Sequence, residues 1–487
     1  MPMNTLQSNA TFTSSLLTDL YEFTMAYTYF KEGIHEDIAY FDMFVRNVPD
    51  KGGYMIFNGL NQLIRQIQAY TFTSEDIYYL RSNGHYDEAF LEYLSALKLE
   101  LDIWSVEEGT PVFANEPLMT VRGTLLQTQL IETLLLVSVN YSTLVTTKAS
   151  RIVHAAKDKQ VIEFGIRRAQ GVDASVEGAR AAYIAGCVGS SNTLSGKLYG
   201  IPISGTMAHS YIQLHASEYD AFRSYVQVQP HNSVLLVDTY DTLNSGVPNA
   251  IKVAQEILIP QGYRLKGIRL DSGDLAYLSK KARILLDEAG LFDCKIIASN
   301  ALDEDIIDDL ILQGAQIDSF GVGENLITSS SQAVLGGVYK VVAYEKDNEI
   351  IPTIKISENI EKITNPGFKR LIRFYDQESH KALGDVICLA DEIIPNDEYV
   401  LFDPITPWKR KTITNYVYKQ LQIPIFVNGH LVYEPKDTQA TRAYCIDQLA
   451  TLWDEVTRLR NPHNYYVDLS QKLYDLKNQM IQHNKKS

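Results

Sequence analysis

The chain of 487 residues is 45% hydrophobic and 21% charged, which is typical of a globular protein with a large buried core and a length of about three domains. Its formal net charge of −15 argues against a nucleic-acid partner or an anionic membrane surface, so a phosphate ligand would have to be bound by local Arg, Lys or backbone N–H groups. The four cysteines form no C-x-x-C pair, the N-terminus is polar, and no apolar run approaches membrane-spanning length. These features argue against a disulfide framework and a zinc site, and they predict a cytoplasmic protein.

The first 126 residues predict a small mixed α/β domain. Apolar residues at helical spacing between Leu16 and Phe30 indicate a helix that Gly33 ends. Tyr21 lies off this apolar stripe, so it is either an ordinary surface or packing tyrosine or a residue that faces something other than its own core. The rest of the region predicts one strand, three helices and a β-rich stretch, which are Ile38–Val45, Leu60–Tyr70, Ser74–Leu80, Asp87–Leu97 and Leu101–Val121.

Residues 127–335 predict a regular α/β unit. A long helix over Gln127–Ala156 is followed by seven short apolar strands, and a helical pattern follows nearly every one. Such alternation indicates parallel strands joined by right-handed crossovers, in either an irregular α/β barrel or an open doubly wound sheet, which periodicity alone does not separate. The predicted strands are Val161–Phe164, Thr193–Leu194, Ile201–Ile203, Val234–Val237, Leu265–Leu270, Lys295–Ala298 and Ile317–Phe320.

Residues 336–487 predict a return to strands and then a helical tail. Strands are expected at Val338–Tyr344 and Val386–Leu389, and the stretch from residue 392 to residue 435 is rich in proline and loop-like. The tail, residues 438–482, predicts helices that are interrupted at Asn461-Pro462.

The turn over Ile201–Ile212 is the stretch from which the functional interpretation starts. A short apolar strand breaks at a Ser-Gly pair, and His209 stands where a helix begins, beside the hydroxyls of Thr206 and Ser210. Taken alone, such a histidine is more often only a polar residue at a helix start. Backbone donors at the same point would suit an anion.

Nearly every other predicted strand also ends in charged, hydroxyl or glycine residues. Single residues of these types cap helices in many proteins, so the argument depends on their convergence. Because the carboxyl ends of parallel strands meet at one edge, the six turns together predict a catalytic or binding rim. The strand-end residues are Arg167 and Arg168, Asp238 and Thr239, Arg269, Asp271, Ser272 and Asp274, Ser299 and Asn300, and Gly321 and Gly323.

Arginines and a glycine-rich turn at this rim indicate a phosphate ligand. Arg167, Arg168 and Arg269 could each bind phosphate oxygens in bidentate fashion. The GVGEN turn that begins at Gly321 offers unobstructed backbone N–H groups, although a lone G-x-G is also an ordinary tight turn. No Walker loop and no G-x-G-x-x-G motif occurs, which argues against a dinucleotide-binding fold.

Two carboxylates frame a Ser-Gly pair at one strand end. Asp271 and Asp274 could bind Mg²⁺, or the hydroxyls of a sugar, near a pyrophosphate. Equally, Asp271 could cap the next helix while Asp274 only complements its dipole. The residues by themselves leave both interpretations open.

Eight stretches closely resemble motifs of the nicotinate phosphoribosyltransferase family and occur in the family's order. They are TDLYEFTMAY (18–27), EFGIRRAQG (163–171), SGTMAHS (204–210), LLVDTYDT (235–242), IRLDSGD (268–274), ASN (298–300), FGVGENL (320–326) and NPHNYYVDLS (461–470). Members of the family join nicotinate to phosphoribosyl pyrophosphate (PRPP) in NAD salvage, giving nicotinate mononucleotide and pyrophosphate, and they couple ATP hydrolysis to this transfer through a phosphorylated histidine. The resemblance implies the type II phosphoribosyltransferase fold: an irregular seven-stranded α/β barrel with a smaller domain built from the N-terminal and post-barrel segments.

The resemblance also implies roles for individual residues. His209 matches the histidine that ATP phosphorylates. Asp271 and Asp274 match residues near the ribose hydroxyls and a pyrophosphate-bound Mg²⁺, and Tyr21 matches a tyrosine that reaches into the neighbouring subunit's site, which implies a homodimer with shared sites. The other substrate-binding positions are Phe164 and Arg167 at the pyridine ring, Arg269 at the base and ribose, Asn300, Gly321 and Gly323 at the 5′-phosphate, and Ser191, Thr206, Ser210 and Asp238 around them.

Four alternatives are weighed against this interpretation. Nicotinamide phosphoribosyltransferases carry an acidic residue about where Ser191 stands, and a hydroxyl there favours the acid substrate because a carboxylate would repel nicotinate. A sugar-phosphate isomerase or aldolase would need a lysine or paired bases at a strand end, and a type I phosphoribosyltransferase would need adjacent acidic residues before small residues and glycine. A non-enzymatic scaffold that carries a phosphorylated His209 would leave the other strand ends unexplained.

Overall fold

The computed structural model describes residues 15–359 and 362–484, and the chain divides into two compact units. Unit 1 combines the residues up to 147 with those from 334 onwards, and unit 2 is the continuous segment 148–333. The boundaries expected from the sequence lie at 126/127 and 335/336.

The helices and strands are numbered here in chain order. The α-helices are α1 (Leu20–Glu32), α2 (Leu60–Gln68), α3 (Ser74–Ser82), α4 (Glu88–Ala96), α5 (Leu125–Leu130), α6 (Glu132–Ala156), α7 (Val172–Ile184), α8 (Thr193–Tyr199), α9 (His209–Gln213), α10 (Glu218–Val228), α11 (Val247–Val253), α12 (Leu275–Glu288), α13 (Glu304–Leu312), α14 (Glu324–Ile327), α15 (Thr438–Ala450), α16 (Asp454–Thr457) and α17 (Gln471–Asn484). The strands are β1 (Ile38–Val45), β2 (Met55–Ile56), β3 (Asp102–Ser105), β4 (Pro111–Val112), β5 (Met119–Thr124), β6 (Gln160–Glu163), β7 (Gly189–Ser190), β8 (Val234–Leu236), β9 (Gly267–Leu270), β10 (Lys295–Ala298), β11 (Ser319–Val322), β12 (Gly337–Lys346), β13 (Glu349–Pro352), β14 (Lys369–Asp376), β15 (Ala382–Leu389), β16 (Glu398–Phe402), β17 (Arg410–Thr414), β18 (Tyr416–Gln420), β19 (Ile423–Val427), β20 (His430–Leu431) and β21 (Val467–Leu469).

The main sheet of unit 1 is assembled from distant parts of the sequence. Its strand order is β13-β12-β1-β5-β3-β19-β20, and β1 lies between β12 and β5 with both pairings antiparallel. Asp42 of β1 is paired with Lys340 of β12, almost 300 positions later in the chain. The predicted strand Ile38–Val45 is confirmed, and fully buried side chains such as Met43 and Val45 pack into the main core of the unit.

A second sheet of unit 1, in the order β18-β14-β15-β21, is held by a buried ion pair. The guanidinium of Arg373 lies 2.6 Å from a carboxylate oxygen of Asp385, and both side chains are completely buried. The stacked rings of Phe113 and Tyr465, with centroids 3.8 Å apart, lie beside the same guanidinium. Removing one member of such a pair would leave an uncompensated buried charge, so this pair ties the post-barrel strands together.

Unit 2 is an α/β half-barrel of six parallel strands in the order β7-β6-β11-β10-β9-β8. Two of the seven predicted strands are wrong. Thr193–Leu194 begins helix α8, because the Asn192 side chain accepts hydrogen bonds from the backbone N–H groups of Leu194 and Ser195 and so caps a helix at this point. Ile201–Ile203 contributes only a single parallel bridge, from Ile203 to Ser190 of β7. In the described residues no ladder joins β8 to Ile203, so the sheet stays open there.

One helical stretch contradicts the expectation that no apolar run approaches membrane-spanning length. Leu125–Ala156, which comprises α5 and α6, is long and apolar enough by length and composition to cross a bilayer. However, 72% of its most apolar window is buried inside the protein, as in the core helix of a globular fold. This single helix is weak evidence for a membrane span.

Candidate active site

The candidate site lies at the carboxyl ends of the parallel strands of unit 2. Strands β8, β9 and β10 are neighbours, and their registers align Leu236 with Arg269 and Arg269 with Ile297. The residues that directly follow these strands therefore emerge side by side. Sheets of this type bind ligands at this edge.

His209 stands at the first position of α9 and faces the ends of β8 and β9. Its Nδ1 atom lies 3.1 Å from the hydroxyl oxygen of Thr239. Its Nε2 atom lies 4.0 Å from Oδ1 of Asp238 and 3.8 Å from Oδ2 of Asp271. The imidazole is 39% exposed, so one side faces these three groups while the other remains open to a ligand.

Asp238 is the buried member of this cluster, with only 1% of its side chain exposed. Its Oδ2 atom accepts hydrogen bonds from the backbone N–H of Asp271 (2.8 Å) and from the hydroxyl of Ser272 (2.7 Å). Its Oδ1 atom is buried and has no hydrogen-bond partner in the described part of the chain, and this is the oxygen that faces His209 Nε2. Burying a hydrogen-bond acceptor without a partner costs free energy. Oδ1 of Asp238 therefore favours the tautomer of His209 that carries its proton on Nε2.

Arg269 and Thr206 connect β9 to the turn that carries the histidine. Nη1 of Arg269 donates to the Thr206 hydroxyl over 2.9 Å. Burial lowers the pKa of Arg269, although the charges of Asp271 and Asp238 act in the opposite direction. Within residues 15–359 and 362–484, no acceptor lies opposite the buried Nε atom of Arg269. A guanidinium with an unused donor at a ligand-binding rim is suited to an anionic ligand.

The end of β6 presents an aromatic ring against a glycine. The backbone N–H of Phe164 donates to the carbonyl of Val322 over 2.7 Å, which fixes the residue beside β11. A Cβ atom at Gly321 would lie 2.4 Å from the Phe164 ring, so only glycine allows this close approach. The side chain of Phe164 is half-buried.

A buried carboxylate organises the turns around this ring. The carbonyl of Glu163 accepts from the backbone N–H of Ser191 over 2.9 Å. The carboxylate of Glu163 accepts from the N–H of Gly165 and, over 2.5 Å, from the hydroxyl of Ser190, and burial raises its pKa. Ser191 is thereby held next to the end of β6, and Arg167 follows in an exposed 3₁₀ turn.

Two further turns offer unpaired backbone donors. Asn300 and Ala301, which follow β10, have positive φ angles of 91° and 34°. In the described residues, the N–H groups of Asn300, Ala301 and Leu302, and that of Gly323 after β11, have no backbone or side-chain acceptor. Successive backbone N–H groups of this kind form concave binding sites for anions.

Three residues predicted from the sequence do not join this cluster. Asp274 is the N-cap of α12 and accepts from the N–H of Tyr277, so the helix-capping alternative applies to it rather than to Asp271. Ser210 is exposed, and its hydroxyl donates to no group in the part of the chain that the structure describes. Tyr21 belongs to unit 1, where burial and the neighbouring carboxylate of Glu132 raise the pKa of its hydroxyl.

The sequence predicts that Thr239, Ser272 and Ser299 lie at strand ends, but it predicts no role for their hydroxyls. In the structure their hydroxyls contact the strand-end cluster: Thr239 contacts His209, Ser272 donates to Asp238, and Ser299 donates to Asp271. The signal in the sequence is a hydroxyl residue close to a strand-end carboxylate. That signal alone does not say which groups the hydroxyls contact.

Comparison with known proteins gives matches over nearly the whole chain. Three family models match: the nicotinate phosphoribosyltransferase N-terminal domain over residues 16–140, the nicotinate phosphoribosyltransferase family over 159–386, and its C-terminal domain over 368–477. The nicotinate phosphoribosyltransferase of Bacillus subtilis (strain 168) is 47% identical over 470 residues, which cover 96% of this chain and 95% of that protein. That of Dictyostelium discoideum is 36% identical, covering 95% and 87%. The crystal structure of human nicotinic acid phosphoribosyltransferase superimposes with a TM-score of 0.84 at 30% identity, covering 95% of this chain and 99% of that one.

Proposed function

The chain belongs to the nicotinate phosphoribosyltransferase family, and from this we propose how its residues transfer the phosphoribosyl group of PRPP to nicotinate with ATP as co-substrate. The observation that carries the proposal is the position of His209, with Thr239 at one ring nitrogen and the carboxylates of Asp238 and Asp271 at the other. This arrangement can accept a phosphoryl group and hold it beside a phosphoribosyl-binding rim.

The transfer step needs positioning and charge neutralisation rather than covalent help from the protein. As pyrophosphate leaves, positive charge develops on the ribose, as it does in glycoside cleavage. Phe164 supports the pyridine ring, Arg269 neutralises the anionic groups, and the turns at Asn300 and Gly323 bind the 5′-phosphate. Holding the pyridine nitrogen behind the ribose carbon makes the attack effectively intramolecular.

His209 is the residue that ATP phosphorylates in this proposal. In the proposed tautomer the carboxylates of Asp238 and Asp271 favour a proton on Nε2, so the lone pair lies on Nδ1, 3.1 Å from the Thr239 hydroxyl oxygen. Nδ1 attacks the γ-phosphorus of ATP, the bond to the β-γ bridging oxygen breaks, and ADP leaves. Hydrolysis of the phosphohistidine then releases phosphate after transfer.

Mg²⁺ is proposed as an ion carried by the pyrophosphate of PRPP. Among residues 15–359 and 362–484, no group of three His, Cys, Asp or Glu side chains is arranged to hold a metal ion. Oδ1 of Asp274 accepts from Tyr277 as a helix cap, and Oδ1 of Asp271 accepts from Ser299, which leaves the Oδ2 atom of each carboxylate as an available ligand oxygen. One or two carboxylates suit Mg²⁺ that keeps waters and substrate phosphates as its other ligands. When bound, the ion would neutralise the leaving pyrophosphate.

Ser191 is proposed to select the acid over the amide. Its backbone N–H donates to the carbonyl of Glu163, the residue before Phe164, so an uncharged hydroxyl residue stands beside the end of β6. A carboxylate at this position would repel the nicotinate carboxylate, whereas a hydroxyl can donate to it. Nicotinamide is the alternative substrate, and a non-enzymatic phosphohistidine scaffold is the alternative outside catalysis.

A product assay tests the function directly. Purified protein is given Mg²⁺ and PRPP with nicotinate or nicotinamide, each with and without ATP, and mononucleotide is quantified by chromatography. We expect product from nicotinate, increased by ATP, and none above background from nicotinamide. Product from nicotinamide would overturn the assignment of Ser191, and no product from either would leave the rim as an unassigned sugar-phosphate site.

Three broader proposals accompany the mechanism. The first is that the single bridge from Ile203 to Ser190 extends the six-stranded sheet towards the irregular seven-stranded barrel of the family. The active form is a homodimer in which Tyr21, 43% exposed on α1, reaches into the neighbouring subunit's site. The net charge of −15 and the soluble substrates fit a cytoplasmic enzyme.

Mixed dimers test the shared site. Homodimers of Tyr21→Ala and of Arg167→Ala should each be strongly impaired. In a mixed dimer one site combines both substitutions and the other has neither, so about half of the wild-type activity per dimer should return. Activity is measured on mixed dimers purified with two affinity tags. If mixing restores nothing, Tyr21 does not act in the neighbouring subunit.

A further inference from the structure

We infer that Asn325 is a positioning residue that holds the loop after β10 in the conformation that binds the 5′-phosphate of PRPP; the inference rests on the proposed function. Asn300 and Ala301 are consecutive non-glycine residues with φ angles of 91° and 34°. A non-glycine residue with positive φ is strained and persists only where surrounding contacts enforce it. The loop therefore needs a group that holds it in place.

Asn325 supplies that group from the neighbouring turn. Its Nδ2 atom donates to the carbonyl of Ala301 over 2.8 Å and to that of Leu302 over 3.3 Å. Its Oδ1 atom accepts from the hydroxyl of Ser330 over 2.7 Å, which fixes the orientation of the amide. Asn325 lies two positions after Gly323, so one side chain joins the two turns that present unpaired N–H groups.

The hydrogen bonds set the direction in which the loop presents its donors. With the carbonyls of Ala301 and Leu302 engaged by Asn325, the loop cannot relax to negative φ without losing both bonds. Within the described part of the chain, the N–H groups of Asn300, Ala301 and Leu302 have no acceptor. Preorganised donors bind an anion without the cost of ordering the loop on binding.

The test combines a deletion with a rescue. Asn325→Ala should raise the KM for PRPP and the dissociation constant for ribose 5-phosphate about tenfold, the cost of a lost hydrogen-bonded clamp, while the KM for nicotinate changes little. Adding Ala301→Gly to this variant should recover most of the loss, because glycine adopts positive φ without strain. Asn249→Ala removes a half-buried helical asparagine elsewhere in unit 2 and should leave both constants unchanged.

Two results would overturn the inference. One is an unchanged affinity of Asn325→Ala for ribose 5-phosphate, and the other is a failure of Ala301→Gly to restore it. If Asn325→Ala does not fold, Ser330→Ala, which only frees the Asn325 amide, should give a loss of about threefold, and no loss would count against the inference. Because ribose 5-phosphate binding needs no turnover, a protein that binds it but forms no product from nicotinate would overturn the proposed function and leave this inference standing.

Discussion

Replacing His209 with alanine is expected to abolish the ATP-driven increase in nicotinate mononucleotide formation and to leave a weak, ATP-independent transfer. The imidazole is the only group at this rim that we assign to accept a phosphoryl group, whereas nicotinate and PRPP are bound by other strand ends. The ATP-coupled part of the rate should therefore disappear, while the remaining rate should be the same with and without ATP. The measurement is mononucleotide formation against ATP concentration, together with incorporation of ³²P from γ-labelled ATP.

His215 offers a matched control for this experiment. It lies six positions further along, at half-buried exposure, and its Nδ1 atom contacts the carbonyl of Tyr211 rather than a carboxylate. His215→Ala should keep both ATP stimulation and ³²P incorporation. Unchanged ATP dependence in His209→Ala would remove His209 from the proposed role, whatever the residual rate.

The second large effect is expected for Asp238→Asn. The asparagine oxygen can still accept from Asp271 and Ser272, and its amide nitrogen then takes the place of the buried oxygen that faces His209. An N–H group at this place disfavours a proton on Nε2, so the proton moves to Nδ1 and blocks the proposed nucleophile. Phosphorylation of His209 should fall about 100-fold, in the range of general acid–base effects.

The comparison for this variant is Asp241→Asn in the same LLVDTYDT motif. Asp241 is exposed and caps the turn at Leu243 and Asn244, a role that asparagine also performs. Acid-labile ³²P on the protein is measured in a single turnover, with the melting temperature as a check on folding. Equal labelling of Asp238→Asn and wild type would show that the buried carboxylate does not control the histidine tautomer.

The sequence was sufficient to predict which residues lie at the strand ends. It was not sufficient to predict the hydrogen-bond partners of their side chains. The positions of Asp238, Arg269 and Asp271 follow from the rule that residues at the carboxyl ends of parallel strands converge, and the structure does bring them together. The same rule says nothing of side-chain direction, so Asp271 and Asp274 are equivalent in the sequence. In the structure Asp274 caps a helix and Asp271 faces His209.

The strand errors have a physical cause as well. Thr193–Leu194 is only two residues long, too short to separate a strand from the start of a helix, and the Asn192 cap decides the outcome. Ile201–Ile203 has the right composition, but only one residue finds a partner, in β7. Edge pairing of this kind depends on neighbours that lie elsewhere in the chain, which a local pattern does not contain.

The pairing of β1 with β12 affects how the nascent chain folds during synthesis. On the ribosome β1 emerges early, whereas its partner β12 lies almost 300 positions later. At a synthesis rate of about 5–20 residues per second, one edge of β1 would remain unpaired for roughly 15–60 s. The unpaired N–H and C=O groups of such a strand edge can form hydrogen bonds with other chains. We therefore expect nascent chains to depend most on chaperones before β12 is synthesised, and less during the folding of unit 2.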